Sequence, residues 1–430
     1  MPKPSPTDPT TNPARIGLIG FGCVGQGLYD IVQRRPEAGF TVARIAVKNP
    51  AKLRPLPAAR FEFRADDLLD DPTLDLLVEV IDDADEAFRL VSQALRRGRR
   101  VATANKAMVA RHLPALIALQ REFGGTLLYE AAVCGSIPVI RTIDQYFAQE
   151  PLQQVSGIFN GSSNYVLTRM TEGGSEYAEA LAEAQAQGFA ETDPALDMGA
   201  FDPRSKAVIL AAHAYGRLLD PETVLNLGIE HVSAADIRYA AERGKKIKVV
   251  ASLQQAEGAP TVLVTPQLVA ADSPLYAVER EFNGVVVDAE FAGQHFWRGR
   301  GAGGHPTGSA VLADLVALRQ GRRYAYAKLP PAAEADNTAE AADLELEVYL
   351  RPAPPELRRA LNLRDVSEQL SAPGFGYEYA VGYVRLSQLL RYRDALRAGG
   401  TFVARTGRVR AVTASTTGEP AAAEAQALSA

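Results

Sequence analysis

Gly20, Gly22 and Gly25 form G-x-G-x-x-G directly after the apolar run RIGLIG (15–20). After a strand and at the start of a helix, each glycine has its own job: a tight turn, close approach of backbone to a pyrophosphate, and close helix–strand packing. The segment that follows, GQGLYDIVQRR, is helical by period. Its first amides, around Cys23 and Val24, therefore point at the phosphates with the positive end of the helix dipole. A second set of ionisable residues lies mid-chain. Asp202-Pro203 reads as the N-cap and first residue of a helix, which puts Lys206 in the first turn and on one face with Asp202. The positive end of that helix opposes an ammonium and suits Lys206 to proton donation. Glu191, Asp193 and Asp197 fall in the Gly/Pro-punctuated loop just before it.

The hydrophobic pattern supplies the elements that hold these residues. RIGLIG, FTVARIAV (40–47), DLLVEVI (75–81), RRVATA (99–104) and TLLYEAAV (126–133) read as strands, with helices near 84–97 and over 106–123 between them. That alternation predicts an N-terminal Rossmann domain, a doubly wound parallel α/β sheet, over residues 14–136. Lys106 then sits at the C-terminal end of a strand, where ligands lie in such sheets, with Thr103 and Asn105 placed as helix caps. The second strand ends Val47-Lys48-Asn49 with no acid for a ribose 2′-hydroxyl, so Lys48 favours NADP and leaves NAD open.

After Pro138 the character changes. A strand through 150–161, helices from 163 and 175, the helix at 202, and strands near 245–252, 261–265 and 284–290 predict an α+β domain with a mixed sheet over 137–325. Residues 305–325 are expected to pack back on the first domain. Residues 329–343 read as a linker, and 344–412 as a small C-terminal α+β module of βαβαβ type with a helix near 355–370. Residues 1–13 and 413–430 read as a disordered arm and tail.

Composition excludes several classes. With 430 residues, two or three domains are expected, and 47% apolar against 23% charged residues is a globular balance. A net charge of −5 without a basic run argues against nucleic acid. No apolar run reaches the ~18 residues of a membrane span. The N-terminus lacks the apolar stretch of a secretory signal. Cys23 and Cys134 form no disulfide framework, which fits a cytoplasmic protein, and the histidines show no metal-binding spacing.

Five further segments occur in order: TANKAMVA (103–110), YEAAVCGSIPVIRTI (129–143), GIFNGSSNYVLTRM (157–170), GFAETDPALDMGAFDPRSKAVILAAHAYG (188–216) and GRGAGGHPTGSAV (299–311). Together with the glycine turn they resemble the monofunctional homoserine dehydrogenase family over about residues 14–325. The resemblance implies NAD(P)H-dependent reversible reduction of L-aspartate 4-semialdehyde to L-homoserine, on the route to threonine and methionine. It implies that Lys206 is the catalytic lysine and that Lys106 lies near nicotinamide and substrate, polarising the oxygen or orienting the ring. Glu191, Asp202 and Asp197 are implied as substrate ligands, and Asn160, Gly161, Ser162 and Ser163 as the loop that holds the substrate carboxylate. Gly301, Ala302 and Gly303 match a second glycine segment that returns to the cofactor domain, Gly303 among its cofactor contacts. Glu130, Val133, Gly135 and Ile137 match positions whose backbone carbonyls hold a monovalent cation such as sodium in some members. The resemblance further implies a homodimer or homotetramer acting on a small molecule.

The chain departs from the family pattern at Asp82-Asp83, where a Gly-Gly pair is usual near the nicotinamide, and at Cys134 and Ser136, where glycines are frequent. Residues 344–407 lack the Pro-Gly helix start of the amino-acid-sensing domain that ends many members. Two other readings fit a dinucleotide domain. An acylating semialdehyde dehydrogenase needs a cysteine nucleophile beside a base, and neither Cys23 nor Cys134 has an obvious one. A nucleotide-sensing protein without chemistry would keep the fold and change the site, as Asp82-Asp83 does.

Overall fold

The computed structural model describes residues 12–255, 260–330, 343–372 and 377–412. The tail read at 413–430 lies outside the described residues, as do nearly all of the arm at 1–13 and the linker at 329–343. The chain runs through β1 (Ala14–Ile19), α1 (Cys23–Arg34), β2 (Phe40–Ala46), β3 (Phe61–Glu62), α2 (Asp66–Leu69), β4 (Leu76–Glu79), α3 (Ala84–Arg96), β5 (Arg100–Thr103), α4 (Lys106–Phe123), β6 (Thr126–Leu128) and α5 (Val139–Arg141). It continues with β7 (Leu152–Ile158), α6 (Gly161–Gly173), α7 (Tyr177–Ala186), α8 (Ala195–Met198), α9 (Phe201–Tyr215), β8 (Leu225–Asn226), α10 (Ala234–Ala241), β9 (Lys245–Gln254) and β10 (Thr261–Ala270). Then come β11 (Phe282–Ala289), β12 (Gly293–Arg300), α11 (Gly304–Arg319), β13 (Leu344–Arg351), α12 (Pro355–Ala360), β14 (Arg364–Ala372), β15 (Tyr377–Arg385), α13 (Leu386–Arg391), α14 (Arg393–Ala398) and β16 (Phe402–Ala411).

Contacts divide the chain into two units, the first comprising the chain up to residue 149 together with 299–328. Its sheet has the order β3-β2-β1-β4-β5-β6, with every pair parallel. This is the Rossmann order, and it arises because short apolar strands such as Leu76–Glu79 are buried along their whole length and need helices on both faces. The strand read through 126–133 stops at Leu128, and residues 130–132 form a tight turn. There the Glu130 carboxylate accepts from the amides of Ile140 (2.9 Å) and Arg141 (2.8 Å), which pulls the chain out of the sheet. The unit extends past the boundary read at 136/137 because the next residues pack onto it. Arg141 pairs with Asp314 (2.9 Å), and Asp144 accepts from the amides of Ala325 and Tyr326. Helix α11 lies against α1 through glycines: a Cβ on Gly27 would run into the Gly304 carbonyl, and one on Gly308 would lie 2.7 Å from the Leu28 nitrogen.

The second unit comprises residues 150–298 and the chain from 329. Its mixed sheet has the order β12-β11-β7-β9-β10-β16-β13-β15-β14, with β8 beside β10. The segment read as a separate C-terminal module adds its strands to this sheet: β16 pairs with β10 and β13 pairs antiparallel with β16. One apolar cluster joins Leu225, Leu227 and Leu263 to Leu346, Leu389, Leu396 and Val403. The helix read near 355–370 ends at Ala360, Asn362 turns at φ +51°, and Arg364–Ala372 is an edge strand. Edge position explains the difference: the exposed residues Asp365, Ser367 and Gln369 give that strand a polar composition without strict alternation. Strand β12 had no counterpart in the sequence reading. No helix among the described residues is long and apolar enough to cross a membrane.

Gly27→Ala should destabilise the first unit by about 1–3 kcal/mol, because the Gly304 backbone cannot move away without displacing α11. Thermal melting monitored by circular dichroism measures this; an unchanged transition would contradict the close contact.

Candidate active site

In the first unit, Gly20 adopts φ +100° and donates its N–H to the Ala46 carbonyl (2.9 Å), and a Cβ there would lie 2.7 Å from the Val80 oxygen. A Cβ on Gly25 would lie 2.5 Å from the Gly20 oxygen, whereas one on Gly22 would meet nothing within 4 Å. The turn is therefore tight on one side and open at Gly22, as close approach of a phosphate requires. Gly22 caps α1 without a side-chain acceptor, so the amides of Cys23, Val24 and Gly25 have no intrahelical partner. These residues fit a dinucleotide pyrophosphate. Lys48 is exposed two positions beyond β2, the strand whose end Gly20 touches.

Thr103, Asn105 and Lys106 follow β5. Asn105 caps α4 by accepting from the Met108 amide (2.9 Å), and Lys106, half-buried, is the first residue of that helix. Behind them lies Glu79, to which the sequence reading gave no role. It is fully buried at the end of β4, where it accepts from the Thr103 hydroxyl (2.5 Å) and the Ile81 amide (2.7 Å). Thr103 Oγ1 in turn accepts from the Asn105 amide (3.0 Å), and Asn105 donates to the Ile81 carbonyl (3.2 Å). Burial pushes the Glu79 carboxyl up to about 7. The only hint in the sequence was an acid inside an apolar strand. Of the Asp82-Asp83 pair, Asp83 caps α3 by accepting from the Glu86 amide (3.0 Å), while Asp82 is exposed.

The loop after β6 has successive left-handed residues, Cys134 (φ +55°) and Gly135 (φ +51°). A Cβ on Gly135 would lie 2.6 Å from the Gly301 oxygen, and the Ser136 amide donates to Arg300 (3.0 Å). The Glu130 and Ile137 carbonyls already accept from the amides of Val133 (3.2 Å) and Val139 (2.8 Å). Burial raises the Glu130 carboxyl to about 7, and burial and Glu130 raise Asp314 well above the usual range. Gly303, at φ +112°, caps α11.

In the second unit, Asn160 caps α6. Its Oδ1 accepts from the Ser163 amide (2.8 Å) and hydroxyl (2.9 Å), and its Nδ2 donates to Asp197 (2.6 Å) and Asp202 (2.9 Å). Asp202 Oδ2 also accepts from Lys206 Nζ (2.7 Å), which donates to the Phe159 carbonyl as well (2.7 Å). Lys206 is 6% and Asp202 5% exposed. Burial raises the Asp197 carboxyl, and neighbouring Asp202 adds to this; hydrogen bonds from Asn160 and Ser162 oppose it.

Three expectations change. Asp202 is not the N-cap of its helix: α9 starts at Phe201, its cap is Ala200 in the left-handed region (φ +60°), and no side chain caps it. With Asp202 turned towards Lys206, that lysine lies in the second turn, where it donates to a carboxylate and a carbonyl. The Ser163 hydroxyl, expected to face a ligand, is buried and used on Asn160, which leaves the α6 terminus to the amides of Gly161 and Ser162. Glu191 stays outside the cluster: it is exposed, and its side chain makes no hydrogen bond or ion pair with another described residue. No group of three or more His, Cys, Asp or Glu side chains among the described residues is placed to hold a metal. Cys134 is buried, and Cys23, exposed, is the first residue of α1 beside the glycine turn.

A Rossmann unit with an open glycine turn, and a second unit with a buried lysine held by a carboxylate, define an NAD(P)-dependent oxidoreductase acting on a CH–OH group. The family model described as "Homoserine dehydrogenase, NAD binding domain" matches residues 20–130, and that described as "Homoserine dehydrogenase" matches 138–316. Homoserine dehydrogenase of Bacillus subtilis is 35% identical over 318 residues, which cover 72% of this chain and 73% of that one. A crystal structure of a homoserine dehydrogenase from Thiobacillus denitrificans superposes with a TM-score of 0.77 at 28% identity, covering 92% of this chain and 98% of that one. A hyperthermophilic archaeal homoserine dehydrogenase, solved in complex with NADPH, is 25% identical with a TM-score of 0.62, covering 73% and 99%. The chain belongs to the homoserine dehydrogenase family.

Glu79 keeps its proton in the folded chain to about pH 7, whereas an unfolded chain loses it near 4.5. The folded state thus binds the extra proton, and its stability falls as pH rises between those values. Glu79→Gln should flatten this loss: melting temperatures at about pH 5.5 and about pH 8 should differ less than in the wild type. Equal differences in the two proteins would contradict it.

Proposed function

We propose that this chain interconverts L-homoserine and L-aspartate 4-semialdehyde with NADP, and that Lys206 moves the proton. The observation that carries this is the fixed ammonium of Lys206, buried and held by Asp202 Oδ2 and the Phe159 carbonyl at 2.7 Å each. An ammonium has three donors. Two are engaged here, and the third can serve a substrate oxygen. In reduction that N–H gives its proton to the developing alkoxide, and the neutral amine stays hydrogen-bonded to Asp202; in oxidation the neutral amine takes the hydroxyl proton. A bound nicotinamide supplies the hydride chemistry.

The other roles follow the same chemistry. Asp202 and Asp197 give negative charge for the substrate ammonium, and Asn160 keeps their separation fixed. Glu191, exposed on its loop, joins them as a substrate ligand. The amides of Gly161 and Ser162 at the start of α6 suit the substrate carboxylate. Lys106 orients the nicotinamide ring, and exposed Lys48 pairs with a 2′-phosphate, which favours NADP over NAD. Gly303 completes the cofactor contacts. The carbonyls of Glu130, Val133, Gly135 and Ile137 take a monovalent cation such as sodium; those of Glu130 and Ile137 keep a lone pair beyond the local hydrogen bond each accepts. The enzyme works as a homodimer or homotetramer in the cytoplasm.

Absorbance at the reduced-nicotinamide band, with L-homoserine and either NADP or NAD, tests the reading. Turnover that prefers NADP is expected. Lys206→Ala should lower kcat by ~10²-fold or more with cofactor affinity nearly intact. Equal rates in variant and wild type would remove Lys206 from the reaction, turnover with NAD alone would remove Lys48 from cofactor choice, and cofactor binding without turnover would return the sensor reading.

A further inference from the structure

The acids around Lys206 hang on one turn. Asp197 lies in α8 and Asp202 near the start of α9, and only Gly199 and Ala200 separate the two helices. Ala200 holds a left-handed conformation, uncommon for a residue with a Cβ. Something must fix that turn, because a change there would swing both carboxylates.

Groups from β8, α9 and α14 hold that turn. Asn226, fully buried in β8, donates to the Gly199 carbonyl (2.7 Å) and accepts from Arg204 (3.3 Å). A Cβ on Gly228 would run into the Met198 carbonyl, so the backbone after β8 also lies tight against the turn. Phe201, the first residue of α9, has two guanidiniums at its ring, Arg204 5.1 Å and Arg397 4.7 Å from the centroid. Arg397 also donates to the Asn226 backbone carbonyl (2.7 Å). Its own position is set from the core. The Arg397 carbonyl is bonded by His231 (2.7 Å), whose carbonyl accepts from Arg351 (2.6 Å), and Arg351 pairs with buried Asp236 (2.6 Å). Arg393 adds a bond to the Glu222 carbonyl (3.2 Å).

Arg397 and Arg393 belong to α14, in the segment that sequence alone read as a separate module. We propose that this segment is a working part of the catalytic unit, and that Arg397 is a positioning residue which, through Phe201 and Asn226, sets the turn carrying Asp197 and Asp202 and hence the direction of Lys206. A guanidinium suits the task because its flat face covers the ring while its edge donates to a carbonyl. The inference rests on the proposed role of Lys206.

The test uses the full-length protein. Arg397→Met should lower kcat about tenfold and leave the KM for cofactor within about twofold, since a small misplacement at the reacting groups acts on the chemical step. Arg397→Lys keeps a positive charge and a donor but not the flat face over the ring, and should recover part of the loss. Arg391→Met, which removes an exposed guanidinium near the Tyr392 ring, should behave as wild type. Hydrogen exchange gives a readout independent of turnover: the amides of Gly199, Ala200 and Arg204 should exchange faster in Arg397→Met. An unchanged kcat in Arg397→Met, or an equal loss in Arg391→Met, overturns the proposal. A wild type inert towards homoserine fails the functional reading instead, and unchanged exchange at Gly199–Arg204 would then still overturn the link from Arg397 to the turn.

Discussion

The side-chain amide of Asn160 is the constraint on which the catalytic half depends. Two carboxylates, Asp197 and Asp202, share its NH₂ group at 2.6 and 2.9 Å, and its carbonyl is fixed by the first turn of α6. Acids brought this close repel each other, and burial adds to the cost of charging both. Burial and Asp202 raise the Asp197 carboxyl, and Asn160, Ser162 and the ammonium of Lys206 oppose that rise, which keeps the cluster intact. The same geometry removes rotational freedom from Lys206. A flexible surface lysine becomes a donor with a set direction, and that is what proton transfer in step with hydride transfer needs.

The first unit uses a buried acid in a different way. Glu79 has no charge partner among the described residues and sits at the strand ends, where it gathers Thr103 and the Ile81 amide. Kept protonated to about pH 7, it ties the backbone after β4 to the start of α4, where Lys106 stands. The glycine turn beside it is shaped by exclusion: at Gly20 and Gly25 any side chain would strike backbone, while Gly22 is left open to solvent. Each unit thus pairs a polar cluster that fixes side chains with a helix terminus that offers amides.

The order of elements in the first unit was legible because short apolar strands and amphipathic helices differ in period, and α4 was readable to its ends, Lys106 and Phe123. Boundaries set by tertiary hydrogen bonds were not. The end of β6 at Leu128 depends on what the Glu130 carboxylate accepts ten residues later, and the start of α9 depends on a left-handed Ala200 that no propensity favours. The edge strand β14 was hidden by its solvated composition, and the merging of the C-terminal strands into the second sheet depends on pairings between β10 and β16 across more than a hundred residues. In the site, the four-residue spacing of Asp202 and Lys206 did indicate their contact. What sequence could not give was the supporting layer of each unit: in the second, Asn160 as the bridge between acids, Ser163 as its partner and Arg397 beside the turn; in the first, Glu79, each finding its partners only through the fold.

If Asp202 fixes Lys206 as one working group, their effects on rate must not be independent. Steady-state kinetics of Asp202→Asn, Lys206→Ala and the double variant, with L-homoserine and saturating NADP, measure this directly. The account predicts that the double variant is about as slow as the slower single one, because removing either member already ends directed proton transfer. Losses that multiply would show two independent contributions and contradict the claim that the pair acts as a unit.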